Sequence, residues 1–164
     1  MDIKIRPYQI DDVQAILEII NYNILNSTAL YDYEVRTIKN QTAIFKEKLS
    51  KGFPVLVATE NETIVGFGYY NEFRYREAYK FTVEHSVYAH PNHTKKGVGK
   101  LILESLILLA KAQKIHTMIG VIDSENQNSI EFHKKFGFEI SGIIKESGYK
   151  FNRWLHSVFM QKML

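Results

Sequence analysis

The chain has 164 residues, 45% of them hydrophobic, with a formal net charge of +3 and no cysteine. That length and apolar share suit one domain over residues 1–164, since no linker, repeat or low-complexity tract divides them. So mild a charge, spread along the chain, argues against a nucleic-acid partner, and the lack of cysteine excludes a disulfide framework and a thiol nucleophile.

In chain order, Ile3–Arg6 reads as a strand closed by Pro7. Asp11 or Asp12 then caps a helix through Ile24, with Val13, Ile16, Leu17 and Ile20 on one face. Thr37 caps a second helix to Lys51, expected to pack through Ile38, Ala43, Phe45 and Leu49. Strands follow at Val55–Thr59 and Ile64–Tyr70, joined by Glu60-Asn61-Glu62. Phe81–Ala89 is a further strand, and Val98–Lys114 the longest apolar helix. Thr117–Ile122 is a strand, and Asn128–Phe136 a short helix ended by Gly137. Phe138–Ile144 and Trp154–Met163 close the series as strands, with the bend between them placed at Gly148. The N-terminus lacks the apolar run of a signal peptide. Leu101–Ala110 is too short for a bilayer and carries Glu104, so a cytoplasmic protein with no membrane partner is expected.

The chemistry concentrates between Thr82 and Lys100. The strand breaks at His90-Pro91-Asn92, and a basic loop with Gly97 and Gly99 opens directly into the helix from Val98. Unpaired N–H groups and the helix dipole make such an entrance an anion site, reinforced here by Lys95, Lys96 and Lys100. The spacing fits neither a Walker loop nor a dinucleotide fingerprint, because Leu101 follows Lys100 and Ile102 stands where a third glycine is needed. Strand alternation puts Phe81, Val83, His85 and Val87 on one side and Thr82, Glu84, Ser86 and Tyr88 on the other. Glu84 thus lies among hydroxyls, beside a phosphate-binding loop. His90 and His93 have metal-ligand spacing but no third ligand nearby, so no metal is expected.

The glycine loop resembles the pyrophosphate loop of the GNAT N-acetyltransferases, and the element order is that of their fold: α/β, with a mixed, mostly antiparallel central sheet flanked by helices. A closer resemblance runs over the C-terminal two-thirds. Phe73-Arg74-x-Arg76-x-Ala78-Tyr79 with Thr82–Tyr88, Asn126-x-x-Ser129-Ile130-x-x-His133 with Phe136-Gly137-Phe138, and Gly148-Tyr149-Lys150-Phe151-x-Arg153-Trp154-Leu155 resemble the phosphinothricin and methionine sulfone/sulfoximine acetyltransferases. The resemblance implies acetyl-CoA as co-substrate, a small amino-acid analogue as acceptor, and a homodimer. It implies that Val87, Tyr88 and Ala89 present backbone to the pantetheine, that Lys95, Lys96, Gly97, Val98, Gly99 and Lys100 wrap the pyrophosphate, and that Asn126 contacts the cofactor. It implies that Arg74, Tyr75, Arg76, Glu84, His85 and Ser86 border the acceptor. The chain departs from the family at Thr94, where Gln or Arg is usual, and at Lys95, where Gly is usual.

An acceptor ammonium must lose a proton before it attacks a thioester, and Glu84 is the candidate base. A strand N–H near Val87 is a candidate donor to the developing oxyanion. His133 could protonate the departing thiolate, hydrogen-bond the cofactor, or serve structure alone. With no cysteine and no G-x-S-x-G elbow, direct transfer is expected. Two alternatives stay open: a larger amine acceptor (peptide N-terminus, polyamine or aminoglycoside) and a non-catalytic acetyl-CoA-binding module.

Overall fold

The computed structural model describes residues 2–94 and 97–164. The elements are β1 (Ile3–Pro7), α1 (Val13–Asn26), α2 (Ile38–Ser50), β2 (Val55–Glu60), β3 (Thr63–Glu72), β4 (Thr82–Ala89), α3 (Val98–Ala112), β5 (Thr117–Asp123), α4 (Gln127–Lys135), β6 (Glu139–Lys150) and β7 (Arg153–Met163). The strands form one sheet of order β1-β2-β3-β4-β5-β7-β6, antiparallel except between β4 and β5. This is the expected mixed α/β architecture.

Each sheet face buries its own apolar cluster. Helices α3 and α4 cover one face through Val98, Ile102, Leu106 and Ile130, against Ala58, Val83 and Met118. Helices α1 and α2 cover the other through Ile16, Ile20 and Phe45, against Val57, Phe67 and Tyr88. The antiparallel register of β3 and β4 is unbroken, so alternation along β4 holds as read, with Val83 in the first cluster and Tyr88 in the second. Contact between α3 and β3 needs a missing side chain. A Cβ at Gly68 would lie 2.5 Å from Ile102 Cγ2 and 3.0 Å from the Ser86 carbonyl oxygen.

Three local expectations are corrected. Asp12 makes no side-chain cap on α1; its carboxylate takes two guanidinium bonds from Arg6 (2.7 and 2.8 Å) and the Gln9 N–H. Thr37 does cap α2, accepting from the Asn40 N–H at 3.2 Å. The buried side of α2, however, is Gln41 and Phe45, while Ile38 and Leu49 are 48% and 45% exposed. The helix lies over a part of the sheet that bears polar groups, so its inward stripe is partly polar. Finally, β6 runs on through Gly148, which pairs with Leu155, and the hairpin turns at Phe151-Asn152, both in left-handed backbone (φ 51° and 58°).

Candidate active site

The parallel pairing of β4 and β5 stops at Glu84↔Ile119. Beyond it the strands part, and a cleft of about 640 Å³ opens between His85–Ala89 and Gly120–Asp123. Which backbone groups of β4 face the cleft follows from the β3 ladder. The Thr82 carbonyl accepts from Phe73 and the His90 N–H donates to Val65, so even-numbered residues of β4 point their backbone at β3. The odd-numbered ones point toward β5. Past Glu84 that partner is gone, so Val87 and Ala89 turn free strand edge into the cleft.

At the far end of the cleft stands the N-terminus of α3. Gly97 is its cap residue, in left-handed backbone at φ 82°. The first intrahelical bond is from the Leu101 N–H to the Gly97 carbonyl, which leaves the N–H groups of Val98, Gly99 and Lys100 without helical acceptors. Gly99 and Lys100 line the cleft beside them, and the Lys100 ammonium is shared only loosely with Glu104 at 3.8 Å. Lys95 and Lys96 lie outside the described residues. The opposite wall carries Asn126, whose side-chain oxygen caps α4 by accepting from the Ser129 N–H at 3.1 Å. Such a cleft suits an extended, amide-bearing chain along β4 with an anion at the helix end. No group of three or more potential metal ligands exists among the described residues.

His85 and His133 close the middle of the cleft wall. Their Nε2 atoms are 3.2 Å apart, and a Cβ at Gly120 would sit 3.1 and 3.2 Å from them. His133 Nδ1 lies 2.6 Å from the Ser129 carbonyl, which can only accept, so the His133 proton is on Nδ1. The remaining Nε2 of neutral His133 accepts from His85 Nε2–H. His85 Nδ1 is then a buried lone pair with no partner among the described residues. Burial, then the neighbouring His133, pushes His85 down to about 3, and burial lowers His133 despite its bond to Ser129. His85 therefore points away from Glu84 and Ser86, on the opposite side of the strand.

On that opposite side, facing α2, a polar cluster surrounds Glu84. Glu84 is half-buried; burial raises its carboxyl above the ordinary range, opposed by the charges of Arg74 and Lys48. Its partner across the ladder is Asn71, whose side-chain oxygen accepts from Lys48 Nζ at 2.8 Å. The same ammonium stands 4.3 Å from the Tyr69 ring centre. Tyr88 stacks on Phe67 at 5.0 Å, and burial pushes its phenol well above the ordinary value. Arg74, Tyr75 and Arg76 lie on the exposed connection before β4, with the Arg74 guanidinium 4.3 Å from the Phe73 ring centre. Sequence reasoning missed Lys48 and Asn71. The spacing Gln41, Phe45, Lys48 on α2 was the available signal, but it is seen only when polar residues are admitted to the inward stripe.

The first loop, between α1 and α2, completes the cleft. Thr28 Oγ1 donates to Asp123 at 2.7 Å, as does Arg153. Burial pushes the Asp123 carboxyl up, but these bonds and the Glu125 N–H outweigh it and hold it below the ordinary range. Buried Lys150 ties the same loop down by donating to the carbonyls of Ser27 (2.8 Å) and Leu30 (2.6 Å).

This architecture is shared with known proteins. Residues 5–159 match the model of the acetyltransferase (GNAT) domain. An L-methionine sulfoximine/L-methionine sulfone acetyltransferase of Pseudomonas paraeruginosa is 38% identical over 162 residues, covering 98% of this chain and 94% of the relative. The L-amino acid N-acyltransferase MnaT of Escherichia coli is 37% identical over 153 residues, 93% and 89% of the two chains. A GNAT phosphinothricin acetyltransferase from Sinorhizobium meliloti, solved in complex with acetyl-CoA, superposes with a TM-score of 0.96 at 34% identity over all of this chain and 89% of its own. The parted strands, the helix end between them and a likeness that runs nearly the length of both chains have one explanation: this protein belongs to the GNAT acetyltransferases.

Proposed function

We propose that the chain moves the acetyl group of acetyl-CoA to the α-amino group of a small amino-acid analogue, of the methionine sulfone, methionine sulfoximine or phosphinothricin type, by direct transfer with both substrates bound. The observation that carries this reading is the junction on β4. A half-buried carboxylate, Glu84, lies three residues before Val87, whose free backbone edge borders a cleft that ends at helix amides. The relatives named for these acceptors supply the substrate class.

In this reading the N–H groups of Val98, Gly99 and Lys100, with Gly97 at the turn and Lys95 and Lys96 before it, hold the pyrophosphate. The edge at Val87 and Ala89, with Tyr88 buried behind it, pairs with the pantetheine amides, and the Asn126 turn borders them. The Val87 N–H is the donor to the thioester oxygen as it gains charge. Glu84 takes the acceptor's ammonium proton, directly or through a water; burial makes it a stronger base than an exposed carboxylate. Arg74 and Arg76 offer planar forks to the acceptor's carboxylate, with Tyr75 between them and Ser86 beside Glu84. Of the roles open to His133, the bonds favour a structural one. Its proton is committed to Ser129, and its other nitrogen faces His85 rather than the cleft.

The whole chain acts as one catalytic domain in the cytoplasm, as a homodimer. The dimer reading is supported by β6, an edge strand that leaves Ile143 and Ile144 more than half exposed, beside Trp154 at 59%. Release of CoA thiol, measured with methionine sulfone, methionine sulfoximine, phosphinothricin and a control peptide, tests the proposal. Turnover with the small analogues and not the peptide is expected; turnover with the peptide alone would overturn the acceptor class.

A further inference from the structure

Lys48 is the charged member of the Glu84 cluster with no place in the scheme above. It comes from α2, outside every motif the sequence offered, and reaches the sheet at Asn71 and Tyr69. Its ammonium is half-buried between the Asn71 side-chain oxygen and the Tyr69 ring. Asn71 and Glu84 are direct neighbours across the β3–β4 ladder, a spacing of about 5 Å between Cβ atoms. The other charges around Lys48 are engaged elsewhere. Glu47 pairs with Lys51 at 2.9 Å, Lys51 also with Glu72 at 3.0 Å, and Arg36 with Asp32 at 2.8 Å. Among the described residues, the other cation acting on Glu84 is Arg74, whose opposing effect is the larger but which stands in solvent on the loop, where screening is strong.

A half-buried ammonium and a half-buried carboxylate on one face of a sheet each carry a desolvation cost that the other offsets. We propose that Lys48 is a positioning residue of the acceptor site, anchored on Asn71 so that its charge keeps Glu84 ionised and ready to accept the acceptor's proton. This rests on Glu84 being the base. The electrostatics of the pair agree in direction. Burial lowers Lys48 to about 8, with Arg36 and Lys51 adding to the fall and Glu47 and Glu84 opposing it. The site therefore keeps most of its counter-charge at neutral pH and loses it as pH rises through about 8.

The test is a carbon-13 NMR titration of the free enzyme labelled at the glutamate side-chain carboxyls. The Glu84 signal is identified by its absence in Glu84→Gln. In Lys48→Met, which keeps the stem and loses the charge, the Glu84 midpoint is expected to move up by about one pH unit. In Lys48→Arg it should stay near the wild-type position, and acetyl-CoA affinity should be unchanged in both. The ratio of kcat at pH 6 to kcat at pH 8 should fall in Lys48→Met and recover in Lys48→Arg. A Glu84 midpoint that Lys48→Met leaves in place, or that Lys48→Arg moves equally, overturns the proposal and leaves Lys48 as packing. Failure of the base assignment is separate: it is read from undiminished turnover in Glu84→Gln, whatever the titration gives.

Discussion

The two sides of β4 are built on different principles. The side that faces the cleft is made of backbone: the free edge of Val87 and Ala89, the amides at the start of α3, and a pair of histidines that burial keeps neutral. The side that faces α2 is made of charge: Glu84, Lys48 and the guanidinium of Arg74, drawn from three separate parts of the chain. A site made from backbone tolerates changes in side chain but not in path. A site made from charges tolerates changes in path but not in charge. One strand carries both because alternation separates them by the width of a single residue.

The largest expected effect falls on the charged side. Glu84→Gln keeps shape and hydrogen bonding but cannot take a proton, so kcat should drop by about 10²–10⁴-fold with acetyl-CoA affinity nearly unchanged. Parallel loss of both in steady-state and binding measurements would erase the distinction between the two sides. Next comes the backbone side. Gly68→Ala forces α3 away from β3, because its Cβ would meet both Ile102 and the Ser86 carbonyl. A loss of about 1–3 kcal/mol in urea unfolding is expected, with acetyl-CoA binding weakened more than the Glu84 titration is disturbed.

The neutral histidines give a pH signature. His85 titrates near 3 in the fold and near 6.5 when unfolded. Between those values the unfolded chain binds the proton and the native one does not. Stability from this group is therefore fully present above about pH 6.5 and declines as pH falls, by about 1.4 kcal/mol per unit. Thermal unfolding at pH 7.5 and 5.5 should show a loss of that order, and His85→Phe should flatten it. An equal loss in the variant would mean that other groups, the buried His133 among them, account for it. The smallest effect is expected from Lys100→Ala. Its charge is exposed at the helix end, so acetyl-CoA binding should weaken only about two- to fivefold, and by less at high salt.

Legibility divides along the same line. The glycine loop and the helix that follows it are local, because a phosphate site at a helix entrance requires a turn, unpaired amides and apolar periodicity within some ten residues. Alternation along β4 was equally local, and with no bulge in the ladder it placed Glu84 and His85 on opposite sides. Helix α2 was misread where the fold is least local. An apolar stripe through Ile38 and Leu49 is the cheapest pattern on paper, but the surface beneath α2 carries Asn71 and Glu84 and takes Gln41 and Lys48 instead. The cap at Asp12 failed for the same reason, since Arg6 on β1 offered a better partner than the helix amides.

The sequence by itself determined the order of elements, the glycine-bearing helix end and the identity of the candidate base. Each depends on the spacing of neighbouring residues and on backbone chemistry that does not change with distance along the chain. Only the tertiary structure decided that β4 and β5 part after Glu84, that His133 donates its Nδ1–H to the Ser129 carbonyl and faces His85, and that Lys48 stands across Asn71 from the carboxylate. Those depend on which groups are brought within a few ångströms of each other and shielded from water. Coulomb energy and desolvation turn on distance and burial, which no spacing in the sequence encodes.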